Sequence, residues 1–328
     1  TVTAGMPIYS TLQILLVFQL FLGGIMILFL DEVVSKWGFG SGISLFIAAG
    51  VSQSIFIRAL NPLASPTNPN IASGAIPALF QSLGAGDPVT AGLMLAGVIS
   101  TIVVFVMAVY AQAMKIEIPL SFGRVRGHGI RWPLSFIYTS NIPVILVAAL
   151  LANIQLWAKL LQGWVGRPTF LGEFSGNQAV GGLAAWISSP NIVGNIIKGS
   201  ITLADLMHAG TYMLIMVIGC VIFSIFWVQT AGMDAKSQAK QIMASGLQIP
   251  GFRKDQRVLE RVLNRYIMPL TVMGAIAVGI LAALADLSGA LSSGTGLLLT
   301  VMIIYKLYEE ISKQHMMDMN PMMRKFME

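Results

Sequence analysis

The sequence predicts an all-α, polytopic membrane protein, and three observations carry that prediction. Of 328 residues, 55% are hydrophobic and 10% charged, with a mean hydropathy of +0.77. Soluble domains carry about 25% charged residues. The apolar residues fall in long continuous runs, whereas the strands of a membrane barrel alternate. The connections between these runs alternate in charge, as loops on two sides of a membrane do. Only helices and closed barrels satisfy the backbone in hydrocarbon, so the runs are read as helices.

Seven segments reach the ~20 residues needed to cross about 30 Å of hydrocarbon. They are 11–30, 41–60, 91–114, 133–155, 204–228, 266–286 and 291–308. The fourth is interrupted by Pro143, the sixth by Pro269 and the seventh by Gly294 and Gly296. Such breaks are tolerated where neighbouring protein or water re-satisfies the backbone. The fourth also carries Thr139-Ser140-Asn141-Ile142-Pro143 near its middle, a polar patch that predicts a face turned away from lipid.

Connections 31–40, 115–132, 229–265 and 309–328, with Lys306, hold all but four of the 20 Lys and Arg. Arg58, Lys159, Arg167 and Lys198 remain for the other side. The positive-inside rule places the basic set in the cytoplasm, so the N-terminus is expected outside and the C-terminus inside. A first residue of Thr1, outside and with no signal peptide before it, predicts a missing upstream segment. The outer connections 61–90 and 156–203 are rich in Gly, Pro, Ser and Asn. Within the second, Leu183, Ala184, Ala185, Trp186 and Ile187 read either as a dip into the membrane or as a packed outer cap.

Ion-coupled carriers and membrane enzymes need ionisable groups at membrane depth. Asp31 and Glu32 instead sit at a cytoplasmic helix end, and Asp205 and Asp286 at outer span edges. His128, His208 and His315 are dispersed, and the lone Cys220 allows no internal disulfide, so no metal-ligand spacing is expected. The run His315-Met316-Met317-Asp318-Met319 holds soft donors but reads as a flexible tail. Mid-span positions carry neutral polarity at Ser52, Gln53, Thr139, Asn141, Asn153, Gln155 and Thr300. These residues serve either as interhelical hydrogen-bonding groups or as a surface that tolerates both water and apolar passengers.

Ile43 and Ile47 stand four apart and share one helical face. Gly40, Gly42 and Gly50 flank them and predict close helix approach. The pair reads as packing, or as a hydrophobic constriction that blocks ions by dewetting. Gly123-Arg124-Val125-Arg126-Gly127 and Gly251-Phe252-Arg253-Lys254 place cations on turns of two long basic loops. Orientation alone explains them; bidentate phosphate contact is the functional alternative. A small-solute secondary transporter would fit broken helices but lacks a coupling carboxylate. An intramembrane enzyme lacks a nucleophile–base pair. A passive conduit needs neither.

Seven runs occur in order over nearly the whole chain: LDEVVSKWGFGSGISLFIAAGVSQ (30–53), KIEIPLSFGRVRG (115–127), YTSNIPVIL (138–146), FWVQTAGMDAKSQAK (226–240), GFRK (251–254), RYIMPLTVMGA (265–275) and GTGLLLT (294–300). Together they resemble the SecY family of archaeal type, the main (alpha) subunit of the Sec protein-conducting channel. The resemblance implies ten spans in two pseudo-symmetric halves, of which these seven match the fourth to tenth. The first three spans and the plug segment are expected to be absent. Residues 1–60 would then be the last two spans of the N-terminal half, and 61–90 an external loop. Residues 91–308 would form the C-terminal half, and 309–328 a cytoplasmic tail.

By motif position, the resemblance implies a pore ring containing Ile43, Ile47, Ile145 and Leu299. It makes 133–155 a lateral-gate helix with Asn141 as its polar gate residue, flanked by 204–228. It makes Arg124, Arg126, Arg253 and Lys254 ribosome-binding residues. The implied function is passive movement of secretory polypeptides across the membrane and of membrane-protein helices sideways into lipid. No enzymatic activity, catalytic residue, metal or cofactor is implied. Energy would come from a partner such as a translating ribosome, because the chain has no nucleotide-binding P-loop. The other implied partners are a SecE-type gamma subunit, a small beta subunit, signal sequences, nascent polypeptides and membrane lipid. The implied location is the cell (plasma) membrane, multi-pass, with a cytoplasmic C-terminus.

Overall fold

The computed structural model describes residues 7–38, 40–64, 71–122, 129–139, 142–176, 178–244, 247–248 and 255–319. Its elements follow the chain as Pro7–Trp37 (α1), Gly42–Leu60 (α2), Ala75–Ala85 (α3), Pro88–Ala113 (α4), Lys115–Phe122 (β1), Gly129–Ser135 (β2) and Ile142–Val165 (α5). Then come Glu173–Ser175 (β3), Gln178–Gly181 (β4), Gly182–Ile187 (α6), Ile192–Ile197 (α7), Leu203–Thr230 (α8), Ala235–Ala244 (α9), Leu247–Gln248 (β5), Gln256–Leu287 (α10) and Gly294–Met319 (α11).

Among the described residues, six helices are long and apolar enough to cross a membrane: α1, α2, α4, α5, α8 and α10. The protein is an all-α, multi-pass membrane protein with small sheets in its connections. The expected seventh span, 291–308, is corrected. Leu291 N–H donates to Thr101 Oγ1 (3.0 Å), and Gly294 N–H donates to the Asp286 carboxylate (2.6 Å). These bonds hold 291–293 outside the helix, so α11 starts at Gly294. Lys306, Glu309 and Glu310 then fall too early for a full apolar span.

Helix starts follow from capping chemistry. Asp87 accepts from Val89 and Thr90 N–H ahead of α4, with Pro88 in its first turn. Thr202 and Asp205 form a reciprocal capping box at the start of α8. The predicted span 133–155 is also corrected: the helix runs from Ile142 to Val165. Residues 133–135 belong to β2, and Pro143 lies in the first turn of α5, where its missing N–H costs no helical bond. Pro143 therefore opens the helix and does not interrupt it.

The basic connection 115–132, expected as a loop, is largely a hairpin. β1 pairs antiparallel with β2, with Ile116 opposite Leu134 and Ile118 opposite Trp132. β5 adds a third strand, giving the order β2-β1-β5. Ile118 and Leu134 are buried against Ala239, Leu259, Leu263 and Ile267 of α9 and α10. The first turns of α10 are thus the floor of this layer. In the connection 156–203, Ala184 and Ile187 of α6 are buried, whereas Leu183 and Trp186 are exposed.

The chain forms two compact units, residues 1–52 with 303–328, and residues 53–302. In the second, α8 and α10 make the closest packing. Cys220 and Ser224 of α8 are fully buried, and a Cβ on Gly279 of α10 would lie 3.1 Å from Val217 Cα. Lipid tails are as apolar as Leu, so membrane helices associate through such small-residue contacts and hydrogen bonds. The hydroxyls of Thr139 and Ser224 share a hydrogen bond (2.9 Å), and Ser224 Oγ donates to Thr271 O (3.2 Å). Thr139 therefore joins elements, as one reading of the neutral polar residues proposed. Asn153 and Thr300 instead donate to carbonyls of their own helices, at Ala149 and Gly296.

Gly274 marks a second close approach, since a Cβ there would sit 2.6 Å from Phe136 O. Gly274→Ala is expected to cost about 1–3 kcal/mol by overpacking. Gly210→Ala, with nothing within 4 Å of the new methyl, is expected to be neutral or stabilising by up to about 1 kcal/mol. Unfolding in detergent checks the contrast. Ser224→Ala removes both its hydroxyl bonds and is expected to cost about 1 kcal/mol. Adding Thr139→Val should cost less than the sum of the single changes, which a double-mutant cycle measures.

Candidate functional site

The implied ring residues all lie near helix starts. Ile43 and Ile47 occupy the first two turns of α2 and share a face, with 40% and 39% of their surface exposed. Of the glycines around them, Gly42 makes a close approach: a Cβ there would lie 2.8 Å from Asp31 Cα. Gly40 serves the turn with φ +73°, and Gly50 has open space.

Ile145 lies in the first turn of α5 and is 37% exposed, while its neighbour Val144 is 1% exposed. Leu299 of α11 is half-buried beside Leu298, which is 1% exposed. Val144, Val147, Leu298 and Val301 belong to one core. The starts of α5 and α11 therefore bring Ile145 and Leu299 to the margin of that core. Ile43 and Ile47 belong to the other compact unit.

Asn141 lies outside the described residues, but its surroundings are on firm anchors. Just before it, Thr139 is buried on Ser224, and Tyr138 Oη donates to Met233 O (2.7 Å). Burial, with the nearby Asp234 charge, pushes Tyr138 up to about 12, so its hydroxyl remains a donor at physiological pH. Just after it, Ile142 and Pro143 start α5. The entry to this helix is thus tied to α8 and to the α8–α9 turn.

Arg124, Arg126, Arg253 and Lys254 also lie outside the described residues. The structure shows what carries them. Segment 123–128 joins β1 to β2, and 249–254 follows β5. Ser121 pairs with Gln248 and Phe122 with Leu247, so both basic segments leave neighbouring strands of one sheet. A further row, Arg257, Arg261 and Arg265, is exposed along α10, opposite the buried Leu259, Leu263 and Ile267. Its i, i+4, i+8 spacing was available in the sequence as a basic helical face. Tyr138 and the Thr139–Ser224 bond had no such local signal.

Comparison with known proteins places this arrangement. The SecY family model matches residues 1–308. The protein translocase subunit SecY of Methanococcus vannielii is 46% identical over 97% of this chain and 68% of its own. A solved protein-conducting channel superimposes with a TM-score of 0.74 at 47% identity, covering 90% of this chain and 64% of that one. A yeast Ssh1 complex bound to the 80S ribosome shares the fold at 19% identity, with a TM-score of 0.64 over 90% of this chain and 64% of its own. The chain thus spans about two thirds of the length of these relatives. By the extent and identity of these matches, the chain belongs to the SecY family.

Proposed function

We propose that this chain is the central pore-forming subunit of a Sec translocon. It is a passive, non-enzymatic channel that moves secretory polypeptides across the membrane and releases membrane helices sideways into lipid. Its six membrane-length helices, together with the shorter apolar start of α11, correspond to the family's fourth to tenth spans, with residues 1–60 in the N-terminal half and 91–308 in the C-terminal half. The observation that carries the reading is chemical. The residues at the ring positions, Ile43, Ile47, Ile145 and Leu299, are all aliphatic, and none is fully buried. Aliphatic rings seal a pore by excluding water and make no demand on a passenger's sequence. The small-solute transporter is not favoured, because relatives of this identity are protein translocase subunits.

In this reading α5 is a lateral-gate helix with Asn141 on the seam, and α8 flanks it. The Asn141 amide biases the gate toward closure, since opening it toward hydrocarbon would strand a polar group. Signal sequences and nascent chains are the passengers. A SecE-type gamma subunit and a small beta subunit complete the assembly, and lipid bounds its outer face. The protein sits in the cell membrane with its C-terminus in the cytoplasm. The ribosome docks on Arg124 and Arg126 and on Arg253 and Lys254. Support comes from the ribosome-bound Ssh1 complex of the same fold and from the single sheet that carries both loops.

Serine at Ile43, Ile47, Ile145 and Leu299 together is expected to raise the resting ion conductance of the assembled translocon in planar bilayers. Unchanged conductance would contradict the ring. Arg253→Glu, or Arg124→Glu with Arg126→Glu, is expected to weaken ribosome binding and flatten its salt dependence. Sedimentation with ribosomes across a salt titration checks this, and unchanged affinity would leave the loops with orientation alone.

A further inference from the structure

We propose that Asp31 is a positioning residue for the pore constriction, acting through the backbone of Ile43. The inference rests on Ile43 and Ile47 belonging to that constriction. Asp31 lies in α1, ahead of the turn that leads into α2. Its Oδ1 accepts from Ser41 Oγ and from Ile43 N–H, each at 3.0 Å. Ile43 therefore exposes its side chain while its own amide is held by a carboxylate twelve residues away. That amide is one of the helix-start donors with no partner inside α2. A charged acceptor makes a stronger bond to it than a neutral one, and it also suits the positive end of the helix.

Three further features fix the same contact. Gly42 is buried, and a side chain there would meet Asp31 Cα at 2.8 Å and Asp31 N at 3.2 Å. The two backbones touch because position 42 has no Cβ. Gly40 turns the chain with φ +73°, a left-handed conformation that favours glycine. The adjacent Glu32 plays no part, because it pairs with Lys36 on the exposed side of α1. The first turn of α2 is thus clamped to α1 by one carboxylate and one missing side chain. Ile47 lies one turn beyond Ile43 on the same face, so any tilt of this turn moves both side chains. A dewetting seal depends on pore radius, so a small tilt opens it.

The test uses the assembled translocon containing the full chain, with two readouts: hydrogen exchange at Ile43 and resting conductance in planar bilayers. Asp31→Ala is expected to speed exchange at Ile43 about fivefold, the factor lost with a helix cap, and to raise resting conductance. Asp31→Asn keeps an accepting oxygen but not its charge and is expected to fall between Asp31→Ala and the parent in both. Glu32→Ala should change neither. Gly42→Ala drives the same backbones apart with Asp31 intact and is expected to leak, so it decides the matter if Asp31→Ala does not assemble. A sealed Gly42→Ala or Asp31→Ala channel, alongside a leaking Ile43→Ser channel, overturns the positioning role and leaves the ring standing. An Asp31→Asn channel that leaks as much as Asp31→Ala overturns it as well. If Ile43→Ser and Ile47→Ser are both silent, the constriction reading itself fails, and the role of Asp31 fails with it.

Discussion

The larger unit depends on α8 and α10 lying close enough for their backbones to touch. Gly279 permits that approach, while Cys220 and Ser224 present small side chains to it. Between membrane helices there is little hydrophobic driving force, so close packing and shared hydrogen bonds carry the association. Ser224 is where these effects meet. It bonds the Thr271 carbonyl of α10 and the hydroxyl of Thr139 at the entry to α5. A separation of α8 from α10 would strand these buried groups, at a cost no lipid could offset.

From that contact the sheet-bearing layer follows. The helix that packs α8 within the membrane continues outward as an amphipathic rod, burying Leu259, Leu263 and Ile267 and exposing Arg257, Arg261 and Arg265. The β1–β2 hairpin lies on its apolar face, and β5 returns to the same sheet. Two basic segments that are far apart in sequence are thereby carried on one support. The proposed gate helix starts from the same scaffold, through Tyr138 and Thr139. The far end of α5 is tied as well, because Gln162 donates to the Phe174 carbonyl (3.2 Å) and accepts from its N–H (2.7 Å).

What the sequence revealed tracks the demands of lipid. Long apolar runs had to be helices, and α1, α2, α4, α8 and α10 lie where the runs predicted them. In the hairpin, the charges of Lys115, Glu117 and Arg131 overlie a strand pattern. The alternation Ile116, Ile118, Leu120 and Ile130, Trp132, Leu134 carries the period of a strand. The start of α5 is not legible from hydropathy, because the strand β2 and the helix α5 are both apolar. The limit of α11 was set by Asp286 and Thr101, which bond its approach from other helices. Ile43 and Ile47 were legible as one face, but what holds that face, Asp31, acts across a turn and has no local pattern. Asn141, Arg124, Arg126, Arg253 and Lys254 lie outside the described residues, so the roles proposed for them rest on the motifs.

The central claim is that a polypeptide passes through this subunit along its aliphatic ring. The most direct measurement places a photoreactive amino acid at Ile47 or Ile145 and, as a control, at Phe18 on the apolar surface of α1. A secretory chain is then stalled in the assembled translocon and irradiated. The account predicts crosslinks from positions 47 and 145 to the stalled chain, and none from position 18. Crosslinks absent from both ring positions, with the stalled chain present and engaged, would contradict it.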